Sequence, residues 1–207
     1  AIDDVAIAAT TQQGDQGLTI GRTSGILAGL PQSVPGFAID RMCAGAMTAV
    51  TTTGSGIGIG AYDMVLAGGV EHMGRHPMGF DADPNPRFLA EKLVSPDALN
   101  MGCTAEKIHD RFPHLTKERA DAFAVGSQQK AAQAYKDGKI QKDLIPVSAA
   151  SAEGWNLVTE DELLRPESTV EGMKDLKTPF RPHGKVTAGN ASPLTDGATV
   201  ALLASGD

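Results

Sequence analysis

SVPGFAIDRMCAGAMTAV, residues 33–50, passes from an extended run into a helix within a few residues. Phe37 to Ile39 begins a strand that leads into Arg41, Met42 and Cys43. From Ala44 to Gly60 the residues are small and mostly uncharged, which predicts a helix buried on most sides. Cys43 stands at the junction, where a helix start offers unsatisfied backbone N–H groups and the positive end of its dipole. Both favour the thiolate, the nucleophilic form. Small neighbours at Ala44, Gly45 and Ala46 leave room for a bulky thioester, as strand-to-helix elbows do for nucleophilic serines. On composition alone the competing reading is a small buried hydrophobe, the commoner fate of a free cysteine.

Outward from this stretch, residues 1 to about 70 alternate short apolar runs with Gly-punctuated helical patterns, the texture of an α/β layer with buried parallel strands. Val5 to Ala9 and Met64 to Ala67 read as strands. Ile20, Leu27 and Leu30 mark a helix that Pro31 closes. Near Gly74 the texture changes, and RHPMGFDADPNPRF, residues 75–88, opens a more polar, more helical insert. Within it a short helix is expected from Thr104 to Phe112. A longer one should be capped by Thr116 and closed by Gly138, burying Ala120, Phe123, Ala124, Ser127, Ala131 and Ala134 and leaving Lys117, Glu118, Asp121 and Lys130 solvated. After Pro182 the small-residue texture returns and ends in a strand over Thr199 to Ala204 that belongs to the first layer. The expected division is 1–73 for the α/β layer, 74–187 for the insert and 188–207 for the return.

With 207 residues, 41% apolar and a net charge of −7, the chain has the material for a real core. Its acidic balance, without a clustered Lys/Arg stripe, argues against a nucleic-acid partner. No stretch reaches the length of a membrane span and no secretory signal is present, so a cytoplasmic location and two reduced cysteines, Cys43 and Cys103, are expected. The His and Cys spacing carries no metal-ligand pair.

Residues 33–50, AYDMVLAGGVEHMG (61–74), NMGCTAEKIHDRF (100–112) and GKVTAGNASPLTDGA (184–198), joined by ERADAFAVGSQQKAAQAYKDG (118–138), resemble the amino-terminal half of thiolases in order and approximate spacing. The wording EHM looks most like thiolases of fatty acid β-oxidation, including those in multienzyme complexes. The resemblance implies an α/β, thiolase-like αβαβα layered fold, here one incomplete half plus an inserted loop subdomain. The family's first strand, central to its sheet, and its first helix would precede residue 1.

The function implied is transfer of an acyl group: cleavage of a 3-ketoacyl-CoA with CoA to acetyl-CoA and a shortened acyl-CoA, or the reverse Claisen condensation. The family's nucleophile falls on Cys43, which would hold the acyl group as a thioester, its backbone N–H donating to the oxyanion. The family's substrate and CoA contacts fall on Met101, Arg165, Phe180, Ala188 and Ser192. Read without the family, these are core filler, a surface cation, a subdomain hydrophobe, a small residue and a turn hydroxyl. No permanently bound cofactor is implied; coenzyme A is the co-substrate. The implied partners are acyl-CoA substrates, a homodimer or tetramer, and a hydratase/dehydrogenase subunit of a β-oxidation complex.

The family's Gly-His-Pro, Cys-x-Gly and Asn-Glu-x-Phe acid/base residues lie in the carboxyl-terminal half, so the segment alone is expected to be inactive. His76-Pro77 follows Arg75 and does not take that role; His72 reads as structural, His109, His114 and His183 as surface residues, and Cys103 as a buried small residue in a turn. The Ser that many members carry after the nucleophile is absent. The rival readings are another thiolase-fold condensing enzyme, such as a hydroxymethylglutaryl-CoA or ketoacyl synthase, and a non-catalytic CoA-thioester or lipid binding protein. Neither a binding protein nor a structural subunit of a complex needs a thiol at a helix start.

Overall fold

The computed structural model describes residues 1–79 and 81–206. They form two compact units, Ala1–Asp83 with Leu194–Asp207, and Pro84–Pro193. Against the division expected from composition, residues 74–83 group with the first unit and residues 188–193 with the second, so both switches, at 83/84 and 193/194, fall C-terminal to the expected ones.

The first unit is a four-stranded sheet between two helices. Strand β1 (Asp4–Ala8) pairs in parallel with β2 (Phe37–Ile39) on one side and β3 (Met64–Glu71) on the other; β6 (Gly197–Ala204) closes the far edge antiparallel to β3. All five residues of β1 are buried, as a strand covered on both faces should be. Its alternation divides the core in two. Val5 and Ile7 pack with Ile20 and Val34 on the side of helix α1 (Ile20–Leu27). Ala6 packs with Ala67 and Ala49 on the side of helix α2 (Gly45–Gly58). Alanines there let α2 lie close to the sheet.

The strand order is β2-β1-β3-β6, with β1 and β3 paired directly. Two burial patterns also differ from the sequence reading. Helix α2 buries Gly45, Ala49 and Thr53, one face rather than most of its circumference, and Met47 is 68% exposed. In α1 the buried positions are Ile20, Gly21 and Gly25, whereas Leu27 is exposed. Helix α1 approaches the sheet through Gly21, where a Cβ would overlap the carbonyl oxygens of Phe37 and Val5.

The segment joining β1 to α1 is held from the loop after β3. Gln16, 3% exposed, accepts the His72 N–H through Oε1 at 2.7 Å. Asp15 pairs with the buried His76 imidazole through Nε2 and with Arg75 Nη1 at 3.0 Å. The His76 hydrogen bond first, and then the Arg75 charge, hold the Asp15 carboxyl below the usual carboxylate range.

The second unit carries helices α3 (Arg87–Ala90), α4 (Met101–Arg111), α5 (Lys117–Lys136) and α6 (Val170–Lys174), with a two-stranded hairpin, β4 (Val147–Ser151) and β5 (Gly154–Val158). Thr116 caps α5, its hydroxyl accepting from the Arg119 N–H, and Gly138 at φ +67° follows the helix end, both as expected. The expected stripe is half-buried at Ala120, Ala124, Ala131 and Ala134 but exposed at Phe123 and Ser127. Phe123 is 79% exposed, and the buried positions of α5 are Asp121 and Val125. Lys117, read as solvated, keeps only 17% of its side-chain exposure because it pairs with Asp121. Cys103 sits half-buried in the first turn of α4, under the Asn100 cap, rather than in a turn. His109, read as a surface residue, is half-buried and bonds the Leu115 carbonyl through Nδ1 at 2.6 Å.

Two stability predictions follow from this packing. Gly21→Ala should cost about 1–3 kcal/mol by forcing α1 off the sheet, whereas Gly126→Ala, with nothing within 4 Å of the added Cβ, should gain about 0.5–1 kcal/mol. Urea midpoints of the two variants moving in the same direction would contradict this account. Because the folded pKa of Asp15 is depressed, its contribution is present above the unfolded value of about 3.9 and is lost as pH falls through the folded value. The midpoint difference between wild type and Asp15→Asn should therefore be full from pH 5 to 7 and shrink on further acidification.

Candidate active site

Each unit holds one part of the expected site. In the first, the chain leaves β2 at Ile39, and Asp40 Oδ1 accepts the Met42 N–H at 2.9 Å. Met42 itself has φ +47°, a left-handed conformation that costs a non-glycine residue energy. That turn sends Met42–Ala44 into a single 3₁₀ turn and then into α2 at Gly45. Cys43 lies in the middle of it, exposed to solvent, as a free thiol. The buried-hydrophobe reading of Cys43 is thus set aside.

The start of α2 is seated on the carboxyl ends of the parallel strands. A Cβ at Gly45 would stand 2.8 Å from Ala8 Cβ, and one at Gly69 would stand 2.9 Å from Ala46 Cβ. Carboxyl ends of parallel strands are where open α/β sheets place their ligand sites. Beside the same helix turn runs an apolar groove of about 350 Å³, lined by Ala46, Met47, Val50, Ala67, Gly68 and Val200 among others.

The imidazoles of this unit have partners of their own. His72 Nδ1 lies 2.8 Å from Asp196 Oδ2, and the Gly74 N–H donates to Asp196 Oδ1 at 2.8 Å, so this pair ties the loop after β3 to the start of β6. His76 is taken up by Asp15. Among the described residues, no group of three or more His, Cys, Asp or Glu side chains is placed to hold a metal ion.

All five of the expected coenzyme contacts lie in the second unit: Arg165 and Ala188 share one cleft, Phe180 packs beside Met101, and Ser192 joins neither pair. Arg165 and Ala188 line one cleft of about 380 Å³, with Ser168, Thr169, Met173 and Gly189. The Arg165 guanidinium is anchored by Nη1 to the carbonyls of Glu162 and Leu164, and its backbone N–H donates to Gln128 Oε1 at 2.8 Å. Phe180 packs on Gly102, the residue after Met101, so closely that a Cβ at Gly102 would overlap the ring. Met101 is 59% exposed, and Ser192 is exposed in the segment after the Thr187–Asn190 turn. Neither lines the Arg165 cleft.

Sequence reasoning missed the residues behind that cleft. Asp121 is expected on a solvated face, and Asn190 carries no local signal that singles it out. Both are instead joined in a network that includes Lys117, Thr187 and Lys185. The one available signal was a Lys and an Asp at i, i+4 on a helix face, which in most helices marks solvent. On the neighbouring face of the unit, Arg181 spans Asp110, at 2.7 and 2.8 Å, and Glu106, and holds the Asp110 carboxyl below its ordinary range.

Among the described residues no helix is long and apolar enough to cross a membrane. Against known proteins, the chain is 38% identical to the 3-ketoacyl-CoA thiolase of Colwellia psychrerythraea over 206 residues, covering 99% of this chain and 53% of that protein. It is likewise 38% identical to the 3-ketoacyl-CoA thiolase of Idiomarina loihiensis over 208 residues, 53% of that protein. A crystal structure of the Bacillus anthracis acetyl-CoA acetyltransferase superposes with a TM-score of 0.81 at 30% identity, over 98% of this chain and 54% of the other. The chain therefore spans about half the length of the curated relatives it matches. The family model for the thiolase N-terminal domain matches residues 1–207, and the chain belongs to the thiolase family.

Proposed function

We propose that this chain supplies the nucleophilic half of a thiolase that cleaves 3-ketoacyl-CoA with CoA, or runs the reverse condensation. The observation that carries the reading is Cys43. It is an exposed thiol immediately after a left-handed residue, at the start of a helix seated on the carboxyl ends of parallel strands. In cleavage, the Cys43 sulfur adds to the C3 carbonyl, and the bond between C2 and C3 breaks. The acetyl-CoA carbanion takes a proton and leaves, and the acyl group stays on sulfur until the thiol of a second CoA takes it. The Cys43 N–H, at the helix start, is the donor for the thioester oxygen.

The Arg165 cleft is the site we assign to the coenzyme. A guanidinium at its rim suits phosphates, and small residues at Ala188 and Gly189 suit a narrow pantetheine arm. Met101, Phe180 and Ser192 belong to the same binding set, on the family resemblance. We assign the parent protein to fatty acid β-oxidation in the cytoplasm, as a homodimer or tetramer with acyl-CoA substrates and a hydratase/dehydrogenase partner. The relatives' name, 3-ketoacyl-CoA thiolase, supports the substrate class. The family resemblance puts the acid/base residues in the carboxyl-terminal half, which supports the expectation that this segment has no base of its own for turnover.

Intact-mass measurement of the 207-residue chain after exposure to excess acetyl-CoA tests the nucleophile. One acetyl group should be found on the wild type and none on Cys43→Ser. An acetyl group that persists in the variant, or that never forms on the wild type, removes Cys43 as the acyl carrier. With acetoacetyl-CoA and CoA together, the chain alone should show no multiple-turnover thiolysis, and steady loss of the acetoacetyl-CoA absorbance would overturn that expectation.

A further inference from the structure

The walls of the Arg165 cleft are tied together, behind the surface a ligand would touch, by one buried carboxylate. Asp121 of α5 is 2% exposed. Its Oδ1 accepts from Asn190 Nδ2 at 2.8 Å and its Oδ2 from Lys117 Nζ at 2.6 Å. Each partner then reaches a different wall. Lys117 Nζ also donates to the Met173 carbonyl at 2.8 Å, and Met173 lines the cleft from α6. Asn190 Nδ2 also donates to the Lys185 carbonyl at 2.9 Å, while its Oδ1 accepts the Thr187 N–H at 2.8 Å, closing the turn that presents Ala188 and Gly189. The walls meet at the base of the cleft, where a Cβ on Gly189 would stand 2.7 Å from Leu176 Cδ1 and 3.1 Å from Met173 Cγ.

A second buried carboxylate fixes the same turn where it begins. Glu106, also 2% exposed, accepts the Lys185 and Val186 N–H groups on one oxygen at 2.7 and 2.8 Å, and its other oxygen lies 3.0 Å from Arg181 Nη2. Ala188 and Gly189 have no long side chain to anchor them. Their position is inherited from Glu106 before them and Asn190 after them.

We propose that Lys117, Asp121 and Asn190 are positioning residues, which set the separation of the cleft's two walls and through it the affinity for coenzyme A. The proposal rests on the assignment of that cleft to the coenzyme. Its physical basis is preorganisation: a wall already held in place loses no further backbone freedom when the ligand binds. Both oxygens of Asp121 are used, in surroundings that exclude water, so removing one partner leaves the other poorly compensated.

The test combines calorimetric titration of the 207-residue chain with CoA and amide hydrogen exchange over residues 170–176 and 187–190. Asn190→Ala detaches one wall and leaves the Lys117–Asp121 pair intact. It should weaken CoA binding about tenfold, the worth of one hydrogen bond to a charged group, and speed exchange at 187–190 only. Asp121→Asn should loosen both segments. Lys174→Ala, exposed on the outside of α6, should change neither. Unaltered CoA affinity in Asn190→Ala despite faster exchange at 187–190 would overturn the proposal, as would exchange that does not change or that rises equally in both segments. Should Asp121→Asn fail to fold, Asn190→Ala decides alone. Should the wild type itself not bind CoA, the coenzyme assignment fails, and the exchange pattern still reports whether the three residues hold the walls.

Discussion

The first unit depends on how closely α2 can approach the strand ends. Gly45 opposite Ala8 and Gly69 opposite Ala46 leave no room for another methyl group, so the helix start cannot slide along the sheet without a clash. Everything at Cys43 inherits this constraint. The left-handed Met42 makes the turn from β2, and the Asp40 carboxylate holds the turn by accepting the Met42 N–H. The thiol is left outside the packed layer, while the residue two positions on is buried in it. Reactivity and packing are thus separated by half a turn of helix.

Much of this was legible in the sequence because it depends on local pattern. Short apolar runs gave β1, β2, β3 and β6 to within a few residues, and the cap at Thr116 and the stop at Gly138 gave the length of α5. What was not legible depends on partners distant along the chain. Asp121 looked like any solvent-facing acid until Asn190 arrived from 69 residues away. The strand order is likewise not written locally, since no local signal says which strands adjoin β1. The β4–β5 hairpin was missed because its strands are short and face solvent on most positions, so their apolar alternation is weak.

The two units solve the problem of fixing backbone in different ways. In the first, alanine and glycine let α2 and the strands touch, so that this helix–sheet contact is fixed by packing, while polar side chains such as Asp15 and Gln16 tie the loops. In the second, buried carboxylates at Asp121 and Glu106 reach across the chain and hold turns by their N–H groups or through an amide side chain. Contact of the first kind is insensitive to charge, whereas the second kind depends on every partner remaining in place.

The pairing of β3 with β6 carries a consequence for how the molecule assembles. Glu71 meets Gly197, so the intervening chain, including the whole of the second unit, is a loop whose closure completes the sheet. During synthesis β3 emerges long before its antiparallel neighbour, and for that interval it has a bare edge able to pair with whatever strand is near. A second unit that has already folded shortens the effective loop and lowers the entropy lost on closing it. The order of events, insert first and last strand second, then decides how long the sheet stays open to the wrong partner.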